Sequence, residues 1–171
     1  PIARTTRQAR SLIDSKPDGV VLAVGENGAA WGQVAEARAL TEGRRVLSAY
    51  GHYSESTCGG PFRKSDWRAD PQLAGGGVLI DGGLHWIRAL RHVLGGERVH
   101  SVFASSGAYV QGFGGESQVD ALMLTETGRS AVLQCTLSPG PLLTDQAFLR
   151  VVHDGGEVAV LSDFAGRGVR C

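Results

Sequence analysis

The sequence predicts an α+β fold: a mainly antiparallel sheet with helices on one face, preceded by one helix and one strand of a larger parallel sheet. Apolar residues recur with helical spacing in the first half of the chain. After Gly96 the pattern changes to short alternating runs separated by glycine- and proline-containing turns. The continuous apolar run VVLAV at 20–24, bounded by Gly19 and Gly25, suits a strand covered on both faces, as in parallel sheets.

Taken in order, residues 5–14 (TTRQARSLID) set Ala9, Leu12 and Ile13 on one face, with Thr5 or Thr6 able to cap, which predicts a short amphipathic helix. Lys16-Pro17-Asp18-Gly19 turns the chain into the 20–24 strand. Residues 29–40 (AAWGQVAEARAL) space Trp31, Val34, Ala37 and Leu40 as a second helix, stopped by Gly43. Residues 44–56 alternate imperfectly as a strand, and a polar loop containing Cys58, Gly59, Gly60 and Pro61 runs on to Pro71. The longest helical candidate is 75–94, closed by Gly95-Gly96. Gly82 and Gly83 sit in its middle, where each glycine costs about 0.5–1 kcal/mol relative to alanine. Either a neighbour approaches that turn closely or the helix bends there.

Strands come next at 99–110, 118–125, 130–138, 148–152 and 157–161. In the third of these, Ala131, Leu133, Cys135 and Leu137 alternate with Val132, Gln134, Thr136 and Ser138. The sheet therefore has an apolar face and a more polar one available to solvent or to a second subunit.

Composition bounds the function. A chain of 171 residues accommodates one ordinary domain plus a remnant, and 42% hydrophobic with 20% charged residues excludes a disordered chain. Seventeen basic against 17 acidic residues give zero formal net charge, without the footprint of a nucleic-acid binder. No apolar run approaches the roughly 20 residues of a membrane helix, so no membrane partner is expected. Cys58, Cys135 and Cys171 are odd in number and widely spaced, fitting neither a disulfide framework nor a zinc knuckle; a reducing, cytoplasmic compartment is the expectation. The start at Pro1 and the arginine- and glycine-rich end read as a piece of a longer protein.

The residues with most chemistry are Asp81 and His85, whose spacing of four stacks a carboxylate and an imidazole on one helix face. Such a pair suits a proton relay, since the carboxylate orients the ring; a helix surface pair or a capped core histidine is the other reading. His92 returns to a similar face, but no further ligand accompanies it and no metal is expected. Trp67 and Arg68 suit a substrate pocket, with the guanidinium as a hydrogen-bonding fork, or else a packed tryptophan and a loop salt bridge. Tyr50, His52 and Tyr53 sit at a strand end, as site or as loop surface. His100, His153 and Cys135 read as strand residues.

Several segments together resemble the Gfo/Idh/MocA family of NAD(P)-dependent oxidoreductases: Trp67-Arg68-Ala69-Asp70-Pro71, then Ala74-Gly75-Gly76-Gly77-Val78-Leu79-Ile80, Asp81-Gly82-Gly83-Leu84-His85 and Leu94-Gly95-Gly96. The opening Pro1-Ile2-Ala3-Arg4-Thr5 is similar to the residues that come after the lysine of the family's Glu-Lys-Pro motif. Val24-Gly25-Glu26-Asn27 resembles the segment that hands over from the cofactor domain to the substrate domain.

The resemblance implies that residues 1–26 are the remnant of a dinucleotide-binding Rossmann domain, supplying its last helix and strand. Residues 27–171 would be an α+β substrate-binding and oligomerisation domain, incomplete at its C-terminal end. It implies Asp81 and His85 as catalytic residues, Trp67, Arg68 and Arg88 at the substrate, and Pro1 and Asn27 at the cofactor. NAD or NADP would be bound mainly by the other domain, because no G-x-G-x-x-G follows a strand here and Gly112-Phe113-Gly114-Gly115 reads as a turn between strands. Many relatives carry an aspartate where this chain has Arg88, which bears on substrate charge. The implied activity is hydride transfer between NAD(P) and a sugar, cyclitol or related polyol, in a homo-oligomer assembled through the sheet. A non-catalytic ligand-binding or dimerisation module of the same fold is the alternative.

Overall fold

Thr5 caps the first helix, α1 (Thr6–Asp14), by accepting from the Gln8 amide while the Gln8 side chain accepts from the Thr5 amide, a capping box. The computed structural model, which describes residues 2–57, 67–140, 147–162 and 169–170, leaves every residue of α1 unburied. The predicted apolar stripe is therefore uncovered, Ile13 being 54% exposed. Residues 20–24 join no strand, contrary to expectation, and Val21 is 87% exposed. A continuous β-branched run becomes a strand only where neighbours complete its hydrogen bonds, and none of the described residues pairs with it.

The second helix starts later than its spacing suggests. A 3-10 turn (Gly28–Ala30) precedes α2 (Gly32–Leu40), with Trp31 at its N-cap position and Val34 and Ala37 buried. Strand β1 (Val46–Ser56) follows, then α3 (Pro71–Ala74), capped by Asp70. The predicted long helix is divided into a π-helical turn (Leu79–Gly83) and α4 (Leu84–Val93). The strands β2 (Val99–Gly107), β3 (Gln118–Thr125), β4 (Ser130–Ser138), β5 (Ala147–His153) and β6 (Gly156–Ser162) agree with the sequence pattern. A short β7 (Val169–Arg170) has no counterpart in it.

Among the described residues seven strands form one sheet in the order β2-β3-β4-β1-β5-β6-β7. Pairing is antiparallel throughout except between β1 and β4, which run parallel in register from Ser48 against Ser130 to Ser56 against Ser138. The long connection from β1 through α4 to β2 makes this possible, because only a crossover can return a strand alongside another in the same direction. Along β4 the expected alternation holds: Ala131, Leu133, Cys135 and Leu137 are buried. Trp86, Ala89, Leu90 and Val93 of α4 fill the space between helix and sheet with these residues and with Ala49, Leu149 and Val151. Gly51 lets Trp86 lie on β1, since a Cβ there would sit 3.2 Å from the indole.

The glycines at 77, 82 and 83 are explained by close approach. A Cβ on Gly77 would lie 2.0 Å from the Glu116 carbonyl oxygen, and one on Gly82 would lie 2.2 Å from Cε1 of Tyr53. The Glu116 carboxylate accepts from the Gly77 and Leu79 amides at 2.7 and 3.0 Å, and its carbonyl accepts from Val78 at 2.9 Å. Gly114 and Gly115 pack against Pro71 and Gly77, so the Gly112-Phe113-Gly114-Gly115 stretch is a packing turn.

Gly82→Ala is expected to destabilise the fold by ~1–3 kcal/mol, because the rigid Tyr53 ring beneath it must move; a urea midpoint unchanged from wild type would refute the close approach. Burial pushes the Cys135 thiol up to about 12, so thiolate is scarce near neutrality. Iodoacetamide at pH 8 should leave Cys135 unmodified in the native protein and alkylate it in denaturant, as read by peptide mass mapping.

Candidate functional site

The π-helical turn, the first turn of α4 and residues 24–26 enclose a pocket of about 250 Å³ lined by Val24, Gly25, Glu26, Asp81, Leu84 and His85. The wider bonding of the turn is visible in the Gly83 amide, which donates to the Val78 carbonyl five residues back at 2.9 Å. Residues 26–28 are docked tightly on α4: a Cβ on Gly28 would lie 2.1 Å from the His85 carbonyl oxygen. A larger groove of about 710 Å³ borders α1, but its lining residues Thr6, Arg7, Arg10, Ser11, Asp14 and Ser15 all belong to one solvent-facing helix and its end. The smaller pocket is the one that brings an imidazole and two carboxylates together.

Asp81 and His85 both line this pocket, yet each has a different partner. The Arg68 guanidinium donates from Nε to Asp81 Oδ2 at 2.6 Å. His85 Nδ1 lies 2.7 Å from Glu26 Oε1, which also accepts from the Gly28 amide at 2.7 Å. The partners come from other parts of the chain, so two side chains four positions apart are held by different groups. Arg88 approaches the other oxygen of Glu26, with 3.8 Å between Nε and Oε2. Trp31 stands against the imidazole at 5.6 Å between ring centres, and against Trp86 edge-on at 5.5 Å.

Trp67 is half exposed, with the Arg68 guanidinium stacked 4.4 Å from its ring centre, so Arg68 is held between an aromatic face and the Asp81 carboxylate. Asn27 is exposed beside Glu26 and makes no capping hydrogen bond. Pro1 lies outside the described residues, as do Cys58 and Cys171. Tyr53 supports the site from below. Burial, and then the Glu55 charge to which its hydroxyl donates at 3.3 Å, keep that phenol protonated well above its usual range. Sequence reasoning misses Glu26 as a functional residue. Its signal is a lone acid in the hand-over segment 24–27, 59 positions from the histidine it meets.

Tyr50 and His52 point to the opposite face of the sheet. There Ser54 Oγ lies 2.8 Å from His52 Nε2, His52 Nδ1 lies 2.9 Å from Gln134 Oε1, and the Gln134 amide donates to Asp120 at 2.8 Å. Among the described residues, no group of three or more His, Cys, Asp or Glu side chains is arranged to hold a metal ion, and no helix is long and apolar enough to cross a membrane.

Residues 31–155 match the family described as the GFO/IDH/MocA C-terminal domain. Among solved structures, GenD2 from gentamicin A biosynthesis in complex with NAD is 25% identical with a TM-score of 0.79, over 94% of this chain and 46% of that one. The aldose-aldose oxidoreductase from Caulobacter crescentus, complexed with glycerol, is 26% identical with a TM-score of 0.78, over 99% of this chain and 50% of that one. A levoglucosan dehydrogenase in complex with NADH and L-sorbose shares the fold with a TM-score of 0.76 at 18% identity, over 99% of this chain and 52% of that one. The chain thus spans about half the length of these relatives. No curated protein matches the sequence. With the sheet order, the glycine-lined turn and the match over most of its length in agreement, the chain belongs to the GFO/IDH/MocA C-terminal domain family.

Proposed function

We propose that this chain is the substrate-side part of an NAD- or NADP-linked oxidoreductase acting on a sugar, cyclitol or related polyol, with residues 1–26 contributed to a dinucleotide-binding domain and 27–171 forming the substrate and assembly domain. The observation that carries the reading is the pocket lined by both His85 and Asp81, with His85 Nδ1 held 2.7 Å from Glu26 Oε1. GenD2 is a complex with NAD and the Caulobacter protein is an aldose-aldose oxidoreductase, and both support the same reading.

The residues present fit the reacting end of such a reaction. An imidazole and a carboxylate share a pocket whose remaining walls include the apolar Val24 and Leu84. A nicotinamide, when bound, supplies the acceptor or donor of hydride. His85 takes the hydroxyl proton from a substrate alcohol as its carbon gives up hydride, and returns it in the reverse direction. Asp81, its charge balanced by Arg68, accepts a hydrogen bond from a substrate hydroxyl. Trp67 offers an aromatic face to the sugar ring, and Arg88, exposed beside Glu26, suits a substrate carrying negative charge. The dinucleotide itself is bound mainly outside these residues, with Pro1 and Asn27 at its edge.

The compartment we assign is the cytoplasm, on the cysteine usage. The partner we assign is a second copy of this chain, joined through the open sheet face, with neither nucleic acid nor membrane involved. Phe103, Leu122 and Val132 form an exposed cross-strand row there, Phe103 being 79% exposed.

In a parent protein carrying both domains, His85→Ala should lower kcat about 10²–10⁴-fold. Full turnover by that variant would instead make this a ligand-binding or dimerisation module. The 171-residue chain assayed alone should show no NAD(P)H oxidation. Phe103→Asp should shift the mass measured by light scattering from dimer towards monomer, and a monomeric wild type would remove the assembly proposal.

A further inference from the structure

The geometry points to Glu26 as the positioning residue for His85, fixing its tautomer so that Nε2 is the atom that exchanges the substrate proton. This deepens the oxidoreductase reading and rests on it for the role of His85, while the Glu26–His85 link stands on geometry alone.

Glu26 Oε1 lies 2.7 Å from two nitrogens, the Gly28 amide and His85 Nδ1. An amide N–H can only donate, and an ionised carboxylate can only accept, so the imidazole proton between the two residues belongs to Nδ1. Nε2 then carries the free lone pair, the form required of a base that takes a hydroxyl proton. Once Nε2 is protonated, the ring is cationic and the same carboxylate stabilises it through a charge-assisted hydrogen bond.

Three further features bear on the Glu26–His85 pair. Gly28 permits the 26–28 segment to seat on the His85 backbone, where any Cβ would collide at 2.1 Å. Trp31 covers the imidazole at 5.6 Å and restricts its rotation. Glu26 Oε2 is buried with no hydrogen-bond partner, and the Arg88 guanidinium at 3.8 Å supplies the neighbouring positive charge. A buried carboxylate oxygen without a hydrogen bond is costly, and a surface ion pair would not demand it. The Nδ1 partner is Glu26 and not Asp81, whose carboxylate accepts from Arg68 at 2.6 Å.

The experiment is nitrogen-resolved NMR of the histidine side chains in the 171-residue chain above the imidazole titration, comparing wild type with Glu26→Ala and Glu26→Gln. In the wild type, His85 should show a protonated Nδ1 with a strongly downfield proton, and an unprotonated Nε2. Glu26→Ala should lose that preference and populate the Nε2–H form. Glu26→Gln keeps an acceptor but not the charge, so it should retain the Nδ1–H tautomer with its proton moved upfield. An Nε2–H tautomer in the wild type overturns the proposal, as does an unchanged His85 signature in a folded Glu26→Ala. If Glu26→Ala does not fold, an unmoved Nδ1 proton in Glu26→Gln overturns it equally. None of these readouts depends on turnover, so a failure here is distinct from a failure of the His85→Ala test in the parent.

Discussion

Three glycines between 77 and 83 are closely approached: Gly77 by the Glu116 carbonyl, Gly82 by the Tyr53 ring, and Gly83 by the Leu79 side chain and Cys135 Sγ. The positions of the remaining elements depend on these contacts. With its glycines seated on β1 and β4, the turn takes up an extra residue and becomes π-helical, and α4 starts from there with Trp86 and Leu90 facing the core. Glu116 secures the entrance by accepting from the Gly77 and Leu79 amides, donors that the helix start would otherwise leave unpaired. The conformational cost of glycine in a helix is offset here by packing that no larger residue would allow.

The same turn and the start of α4 carry two of the polar groups of the pocket. Asp81 and His85 each meet a partner brought from elsewhere in the chain, Arg68 from the segment before α3 and Glu26 from the segment before α2. Each partner fixes the geometry of one group. The two ends of the site differ in support. Arg68 rests on a half-exposed tryptophan, whereas Glu26 is wedged between Gly28 and the first turn of α4.

The sheet has two faces of different character, and the distinction is written in single strands. On β4, Ala131, Leu133, Cys135 and Leu137 meet the helices, while Gln134 on the outer face joins His52, Ser54 and Asp120 in a continuous polar chain. The pocket lies on the helix side and the exposed row at Phe103, Leu122 and Val132 on the other, so the surfaces proposed for substrate and for assembly are separate faces of one sheet.

The sequence by itself determined the local elements. The threonine cap of α1, the alternation of β4, the glycine-closed helix end at Gly95-Gly96 and the need for either a close approach or a bend at Gly82 and Gly83 all arise from interactions within a few residues or from the cost of glycine in a helix. It also singled out Asp81 and His85 as the residues with chemistry. Only the tertiary structure decided how those two residues are partnered, because Glu26 meets His85 across 59 positions and Arg68 reaches Asp81 across 13, distances over which spacing patterns carry no information. The parallel pairing of β1 with β4 was likewise invisible in either strand, since register between distant strands is set by the crossover that joins them. The apolar run at 20–24 shows the converse: a sequence with every mark of a strand stays unpaired where no neighbour completes its hydrogen bonds.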